Sequence, residues 1–396
     1  MRTARGRKST LADSLSVAAR AVLLFSLAIT CASCLGSYEP PKPPSALDHA
    51  QVLMGEKAYD KSLFRSVPET GEVSQLLAGW PADREGAALV VVGNRGARFL
   101  GRDGAWKRTV EFSSNRYGQL QVVPLDRGGA YGFLTRDATL IGGLVLYDRD
   151  GKELWRYSSF WGIDDSAAGF LNGASAPAFV VGLNGFGGIR LLDQKGNEIW
   201  RQSEGNVWHV EILDPAGDGN GKILNSNGSG HLTIRDDSGA VKTRFTTLGY
   251  VSNFTLVRWG QEQRAVHLLI PPTRSTSGFS SGKAQFRVLD SEGRQVAQLD
   301  APLGDLLVSI AGTSVAFKRG LSSFAVLQDF KPMQRSLLFL YDEAGRLVYQ
   351  ETIADACRGI SAFPHDTGDT LLVGCKDKVW EYKPTENPVE TRAARE

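Results

Sequence analysis

The chain has 396 residues, of which 42% are hydrophobic and 22% are charged, as in an ordinary globular protein. Its formal net charge of +2 gives no support to a nucleic-acid-binding surface. The 44 glycines favour a fold with many tight turns. The length alone would suit two or three domains, although repeat proteins and all-β proteins can form a single domain of this size.

Residues 1–33 are typical of a targeting segment. Basic residues, among them Arg5, Arg7 and Lys8, precede the apolar run AVLLFSLAIT at 21–30. Ten apolar residues are too few to span a bilayer, but they suit the core of a signal peptide. Without this segment the chain keeps 40 basic and 42 acidic residues, so its charge is near −2. The basic character therefore belongs mostly to the leader, and no nucleic-acid partner is predicted.

Cys34 follows Ala32 and Ser33, and the stretch resembles a bacterial lipobox, in which lipid is attached to the cysteine. It departs from that motif at Cys31, where leucine is usual. The resemblance implies a lipoprotein anchored through Cys34, with an ordinary secreted protein or a retained anchor as alternatives. Leu35, rather than aspartate, follows the cysteine, which in Gram-negative lipoproteins usually leaves the protein free to reach the outer membrane. The predicted location is the cell envelope, as an outer-membrane lipoprotein or as a periplasmic or secreted protein.

The folded body is predicted over residues 51–384. Residues 34–50 carry the attachment cysteine and a Pro-rich, semi-rigid spacer (LGSYEPPKPPSAL, 35–47). Residues 385–396 are predicted to be a disordered tail.

One phrase recurs within the body, most clearly as LYDRDGKELWRY (146–157) and LLDQKGNEIWRQ (191–202). The glycines of the recurring turns are Gly104, Gly151, Gly196, Gly239, Gly293 and Gly345, and the last five follow Asp148, Asp193, Asp236, Asp290 and Asp342 by three residues. A seventh copy, VWEYK (379–383), ends before any turn. Periods of 43 to 54 residues indicate a repeat architecture.

Each phrase is predicted to be a β-hairpin, because apolar residues alternate on both sides of the turn. The aspartate can cap the turn by accepting backbone amides, and the glycine can take the positive φ at its end. A second pair of short apolar strands precedes each hairpin. Four strands in about 40–50 residues make a propeller blade. We predict an all-β, seven-bladed β-propeller of four-stranded antiparallel blades, with eight blades as an alternative.

The ends of the chain suggest how the ring closes. The last blade stops after three strands, and the segment EKAYDKSLFRSV (56–67) precedes the first blade. We predict that this segment supplies the missing outer strand, because doing so would cover two otherwise exposed sheet edges.

Two long stretches, residues 167–200 and 210–239, resemble the FG-GAP/VCBS-type propeller repeats, which run strand, acidic-glycine loop, strand, turn, strand. The segment LYDRDGKELW is also similar to the tryptophan-bearing repeats of quinoprotein-like (PQQ-like) propellers. The resemblance covers roughly residues 80–383. It implies the architecture and not an activity, because propellers of one kind host many functions.

The loop DPAGDGNG (214–221) is the most site-like stretch, since repeats of the resembled family often hold calcium with Asp and Asn oxygens. Asp214, Asp218 and Asn220 match such positions. Lys222 stands where a further oxygen would be wanted and would oppose a cation. We therefore favour a structural turn, with calcium as the alternative and no other cofactor predicted.

Cys357 and Cys375 flank a predicted hairpin and would lie opposite each other on antiparallel strands. In an oxidising compartment they are predicted to form a structural disulfide, with a redox role as the alternative.

Trp106, Trp155, Trp200 and Tyr349 occupy related positions after the turns. We predict that they pack between blades, with an aromatic ligand platform as the alternative. Trp106 comes two residues early, which would keep it on the same strand face.

The sequence contains no HExxH or P-loop motif, and GLNGFGG (182–188) joins two strands rather than opening a helix. The predicted function is a non-catalytic envelope lipoprotein whose propeller binds a protein or another envelope component and reaches the membrane only through its lipid. The alternatives are a propeller enzyme (quinoprotein-like dehydrogenase, lyase or transferase) with its site at the central channel, and surface adhesion or carbohydrate binding. The Ser/Gly-rich loop 271–283 is the first predicted place of partner contact.

Overall fold

The computed structural model describes residues 52–54, 59–78, 88–112, 117–137, 143–246, 254–269, 272–275, 278–281, 285–301, 309–318, 323–330 and 334–384. The predicted signal peptide, Cys34, the spacer and the tail lie outside the described residues. Among the described residues, no helix has the length and apolar character needed to cross a membrane.

Nearly all described residues belong to strands or their connections, apart from a 3-10 turn at Pro68–Thr70. Two strands precede the first blade, β1 (Val52–Met54) and β2 (Tyr59–Ser66). Blade 1 contains β3 (Val73–Ala78), β4 (Leu89–Gly93), β5 (Gly96–Leu100) and β6 (Trp106–Val110). Blade 2 contains β7 (Tyr117–Pro124), β8 (Tyr131–Asp137), β9 (Gly143–Asp148) and β10 (Glu153–Ser158). Blade 3 contains β11 (Ile163–Gly169), β12 (Ala178–Leu183), β13 (Gly188–Leu192) and β14 (Glu198–Gln202).

Blade 4 contains β15 (Val207–Leu213), β16 (Lys222–Asn227), β17 (His231–Arg235) and β18 (Val241–Thr246). Blade 5 contains β19 (Phe254–Trp259), β20 (Glu262–Leu269), β23 (Gln285–Leu289) and β24 (Gln295–Asp300), with the hairpin β21 (Pro272–Ser275) and β22 (Gly278–Ser281) inserted. Blade 6 contains β25 (Ser309–Val315), β26 (Ser323–Phe330), β27 (Arg335–Tyr341) and β28 (Leu347–Ile353). Blade 7 contains β29 (Cys357–Phe363), β30 (Thr370–Cys375) and β31 (Lys378–Pro384), with β2 as its fourth strand.

The seven blades close into a ring. Within each blade the strands pair antiparallel in the order A, B, C and D, where A is the inner strand and D the outer strand. The inner strands touch their neighbours in the order β3, β7, β11, β15, β19, β25 and β29, and β29 returns to β3. The predicted seven-bladed β-propeller is therefore confirmed, and the eight-bladed alternative is wrong because seven sheets complete the ring.

The first and last parts of the propeller meet in blade 7. β2 pairs antiparallel with β31, with Asp60 opposite Lys383 and Ser62 opposite Glu381. The prediction that segment 56–67 supplies the missing outer strand is confirmed for its described part. β1 was not predicted, and it adds a fifth strand to blade 6 beside β28. Both pairings cover edges that would otherwise offer unpaired backbone groups.

The core lies between adjacent blades. The B and C strands are covered on both faces, so β4 and β30 are buried along their whole length and read as apolar runs. Between blades 1 and 2, Phe99, Phe133 and Tyr147 belong to one buried cluster. Apolar layers of this kind occupy the wedges between the twisted sheets and hold the ring together.

The C–D turns repeat one local design. In the turn after β13, Asp193 Oδ1 accepts the backbone amides of Lys195 and Asn197 at 2.8 Å each. Gly196 ends the turn with φ of 81°, a value that disfavours a side chain. The same pair of Asp-to-amide contacts recurs in the turns of Asp148, Asp236, Asp290 and Asp342.

Each of these turns also anchors the preceding blade. Trp155 lies on β10, packs against Gly196, and donates its indole N–H to the carbonyl of Gln194 at 3.0 Å. Trp200 repeats the arrangement one blade later, with its donor 2.8 Å from the carbonyl of Asp237. The predicted packing role is confirmed for both tryptophans.

The prediction that Trp106 lies on the same strand face as the other three aromatics is wrong, although its ring packs against Arg65 of blade 7. The pairing of β5 with β6 shifts between Phe99 and Leu100, so Trp106 lies opposite Leu100 while Arg108 lies opposite Phe99. This bulge turns Trp106 to the other face of the strand, where it is 38% exposed. Arg108 takes the expected place and bonds the carbonyl of Arg149 at 3.5 Å. Tyr349 does pack between blades, with its ring 5.1 Å from that of Tyr59.

Cys357 and Cys375 lie opposite each other in the pairing of β29 with β30, and they are joined by a disulfide. The bond links the first residue of an inner strand to the last residue of its neighbour.

The antiparallel order gives the ring two distinct faces. Because successive strands reverse direction, the D–A loops and B–C turns lie on one face, named the top face. The A–B loops and C–D turns lie on the other, named the bottom face.

Candidate protein-interaction site

The top face exposes three aromatic rings, of which the central one contacts the other two. Phe160 and Trp161 lie in the loop between β10 and β11, and Phe186 lies in the turn between β12 and β13. Their exposed fractions are 78%, 40% and 83%. The ring centroid of Trp161 is 5.6 Å from that of Phe160 and 6.0 Å from that of Phe186. We name these three residues the aromatic cluster.

Backbone hydrogen bonds hold the two segments of the aromatic cluster together. The amide of Trp161 donates to Ser159 Oγ at 3.2 Å, which shapes the start of the loop. The amide of Asn184 donates to the carbonyl of Gly162 at 3.2 Å, which ties the turn to the loop. The rings are therefore presented by a fixed backbone.

Glycines allow Trp161 to lie against the turn. The amide of Gly187 donates to the carbonyl of Asn184 at 3.0 Å. A Cβ atom at Gly187 would lie 2.4 Å from Leu183 Cβ and 2.8 Å from Trp161 Cβ. Only glycine fits this approach, so the stretch GLNGFGG serves to seat Trp161 and to direct Phe186 outward.

Contiguous exposed aromatic rings are characteristic of binding surfaces. Exposed apolar residues are common singly, but a contiguous patch marks an interaction site. Phenylalanine and tryptophan are enriched at protein interfaces, where they fill pockets of the partner. The aromatic cluster can therefore contribute binding energy without any chemistry of its own.

A charged cluster lies on strands β8, β11 and β15. Arg136 Nη1 donates to the carbonyl of Ile163 at 2.9 Å and also contacts the carbonyl of Asp164. Burial raises the pKa of Asp164 to about 6, although Arg136 opposes the shift. The neighbouring Asp165 contacts His209 Nδ1 and accepts the amide of Val210 at 3.0 Å.

The candidate calcium residues lie together on the bottom face, in one A–B loop. Asp214 accepts the amides of Gly217 and Gly219 at 2.9 Å each. Asp218 accepts the amide of Asn220 at 2.9 Å and its side-chain nitrogen at 3.0 Å. The carboxylates are thus directed at groups of their own loop.

An arginine connects this acidic loop to its neighbours. Arg127, in the A–B loop of blade 2, donates from Nη1 to the carbonyl of Asp218 and from Nε to the carbonyl of Ala174, both at 2.9 Å. Lys222 contacts Glu292. Within the described ranges, no group of three or more His, Cys, Asp or Glu side chains is arranged to hold a metal ion.

The loop 271–283 contains a feature that the sequence did not reveal. Its described residues form the hairpin of β21 and β22, which lies between the B and C strands of blade 5 and so on the top face.

The comparisons with known proteins show the fold alone. No family model and no curated protein matches the chain. The chain is similar to the Neurospora crassa Pan2 WD40 domain, with a TM-score of 0.53, 12% identity, and coverage of 84% of this chain and 97% of that one. It is also similar to BBS1N in complex with ARL6DN, soaked with lead or with mercury, with a TM-score of 0.51 and 12% identity. Those two matches cover 80% and 81% of this chain and 97% of the other.

Sequence reasoning missed the aromatic cluster. Two signals could have indicated it: the adjacent aromatics Phe160 and Trp161 stand between two predicted strands, and Phe186 is enclosed by glycines. Neither segment recurs in other blades, which separates them from the repeated turn residues.

Proposed function

We propose that the protein is a non-catalytic, lipid-anchored protein of the cell envelope whose propeller binds a protein partner through the aromatic cluster. The observation that carries the proposal is the contact of Phe160, Trp161 and Phe186 on the top face, where two of the rings keep about four-fifths of their surface exposed.

The comparison with BBS1N supports the proposed kind of partner. That propeller is found in complex with another protein, ARL6DN. By analogy the present ring would serve as a rigid platform that displays loops to a partner. The analogy concerns the fold alone. In this chain, the aromatic cluster is the feature that indicates where a partner would bind.

The envelope location is supported by the sequence. The basic and apolar leader, the small residues before Cys34 and the Pro-rich spacer together suit a lipid anchor that holds a folded body off a membrane. The Asp-x-x-Gly-x-x-x-Trp hairpins of blades 2 and 3 support a relation to FG-GAP/VCBS-type or quinoprotein-like repeats.

The binding site can be tested by photo-cross-linking in intact cells. A photoreactive phenylalanine analogue at position 186 should yield a discrete protein adduct, whereas the same analogue at Ile199 should not. Ile199 is a suitable control because it is also exposed, at 56%, but lies on the outer strand of blade 3. With the purified partner, Phe160→Ala/Phe186→Ala should weaken binding by about tenfold or more, and Ile199→Ala should leave it unchanged.

Several results would contradict this assignment. Equal adducts from both positions, adducts with lipid alone, or unchanged affinity of the double variant would remove the aromatic cluster as a protein site. Specific glycan binding would favour the adhesion alternative, and a bound quinone would favour the enzyme.

The anchor is tested separately. Cys34→Ala should move the protein from the membrane fraction to the soluble fraction, and mass spectrometry of the wild type should find a lipid on Cys34. An unmodified Cys34 in membrane-free protein would contradict the anchor without affecting the binding proposal.

A further inference from the structure

Ionisable groups on two inner strands contact each other, and an aromatic ring on a third inner strand packs against them. Asp165 on β11 contacts His209 Nδ1 on β15, and His209 Nε2 lies 3.8 Å from Glu211 Oε1. The ring centroid of His209 is 4.3 Å from that of Phe254 on β19. The side chains of Asp165 and His209 are only 7% and 16% exposed. Blades 3, 4 and 5 therefore meet around one imidazole.

The carboxylate of Asp165 fastens the side chain and the backbone of the next blade. The oxygen that contacts His209 also accepts the amide of Val210 at 3.0 Å. Loss of charge on His209 would weaken this contact where two inner strands adjoin.

Several other charged or titratable groups lie on the strands in contact with the strand of His209. They are Asp164 on β11, Lys222 on β16, Arg258 on β19, and Glu262, Arg264 and His267 on β20. Arg136 on β8 acts on Asp164 and Asp165. Burial, with help from Arg287, lowers the pKa of His267 to about 3, so this second histidine stays neutral. Arg136 is engaged with backbone carbonyls.

We propose that Asp165, His209 and Glu211 form a proton-controlled clamp that holds the inner strands of blades 3 and 4 more tightly in mildly acidic than in alkaline solution. The clamp is a property of the ring and does not depend on the proposed binding function.

The direction follows from the protonation of the three groups. Burial alone would lower the pKa of His209, but the carboxylates of Asp165 and Glu211 outweigh it and raise that pKa above its usual 6.5. Partial burial raises the pKa of Glu211 to about 7, and the side chain keeps 35% of its surface exposed. The folded state therefore holds more protons than the unfolded chain, for Glu211 from about pH 4.5 to 7 and for His209 above 6.5. Stability from both groups is lost as the pH rises through these ranges.

Asp165 acts in the opposite range. Burial works to raise its pKa, yet His209 and the amide of Val210 hold that pKa below its usual 3.8. Its contribution is present above pH 3.8 and is lost only on further acidification. The clamp should therefore be tightest in mildly acidic solution.

The test follows His209 by NMR in the full chain with labelled imidazoles. His209→Gln assigns its signal, and His231→Gln identifies a second histidine as an internal reference. We expect the titration midpoint of His209 to lie above the midpoint of a free histidine. Asp165→Asn should lower the midpoint by about one pH unit or more. A free-histidine midpoint in the wild type, or an unchanged midpoint in Asp165→Asn, would overturn the proposal.

A second variant keeps the test decisive if Asp165→Asn does not fold. In the wild type the melting temperature should fall between pH 5.5 and pH 8. Glu211→Gln should lower the titration midpoint of His209 and should make this fall smaller by at least about 2 °C. Glu111→Gln is the matched control, because Glu111 is 76% exposed on blade 1 and should change neither quantity. Identical behaviour of the two variants would overturn the clamp.

Discussion

The two faces of the ring use aromatic residues in opposite ways. On the bottom face Trp155 is 9% exposed, and its indole N–H donates a hydrogen bond to the turn of the next blade. On the top face Trp161 is 40% exposed and touches two rings that are far more exposed still. The repeated aromatic holds the blades together, whereas the unrepeated one is left available for another molecule.

The acidic residues show the same contrast. Asp193 and its equivalents direct their oxygens at backbone amides of their own turns. Asp165 and Glu211, on the inner strands of blades 3 and 4, approach the two ring nitrogens of His209 instead. Residues that recur in each repeat therefore stabilise the fold. Residues that occur only once are the candidates for function.

Removing one tryptophan from each face should produce two different effects. Trp155→Ala should lower the free energy of unfolding by about 4 kcal/mol, because it empties an inter-blade wedge and removes a hydrogen bond. Trp161→Ala should cost less than about 1 kcal/mol and should weaken partner binding instead. Denaturant unfolding of both variants provides the measurement. Similar stability losses would show that the aromatic cluster is also structural.

The disulfide offers a second test, since it fastens blade 7 where the ring closes. Replacing Cys357 and Cys375 by alanine should lower the free energy of unfolding by about 3 kcal/mol, as expected for a short closed loop. Thiol counting on the unreduced, unfolded protein should find neither cysteine free. Free thiols at Cys357 and Cys375 would contradict the disulfide and would favour the redox alternative.

A smaller effect is expected from single turn contacts on the two faces. Asp193→Ala should cost about 1–2 kcal/mol, because it leaves the amides of Lys195 and Asn197 without their acceptor. The pKa of Asp193 is held below its usual value, so this stabilisation should disappear as the pH falls below 3.8. Ser159→Ala, which removes one contact from an exposed top loop, should stay within about 0.5 kcal/mol. Chemical denaturation at pH 7 and at pH 3 distinguishes the two.

The smallest effect concerns calcium and the loop of Asp214. We expect millimolar calcium to leave the melting temperature unchanged, because the carboxylates already bind amides and Arg127 adds a positive charge beside Asp218. A calcium-dependent rise that disappears in Asp218→Ala would instead establish a metal site at this loop.

Local signals predicted the blades well but failed where strands interact. The Asp-Gly turns, the apolar runs and the closing segment 56–67 all follow from short-range chemistry and from the need to cover sheet edges. Trp106 was misplaced because the outer strands of blades 1 to 6 carry a bulge just after the turn, so Trp106 and Arg108 face opposite sides although they are two residues apart. Strand alternation read from the sequence does not reveal a bulge. Arg108 stands four residues after its turn glycine, as Trp155 does, and so carries the equivalent role.

The repeating unit could be predicted from local sequence, because turn chemistry and strand periodicity act over a few residues. The contacts between distant side chains depend on how the strands and blades pack. Phe186 reaches Trp161 across 25 positions because β11 pairs with β12 within blade 3. Asp165 reaches His209 across 44 positions because the ring brings blades 3 and 4 side by side. The candidate site therefore depends on strand pairing within one blade, and the proposed clamp depends on a contact between blades.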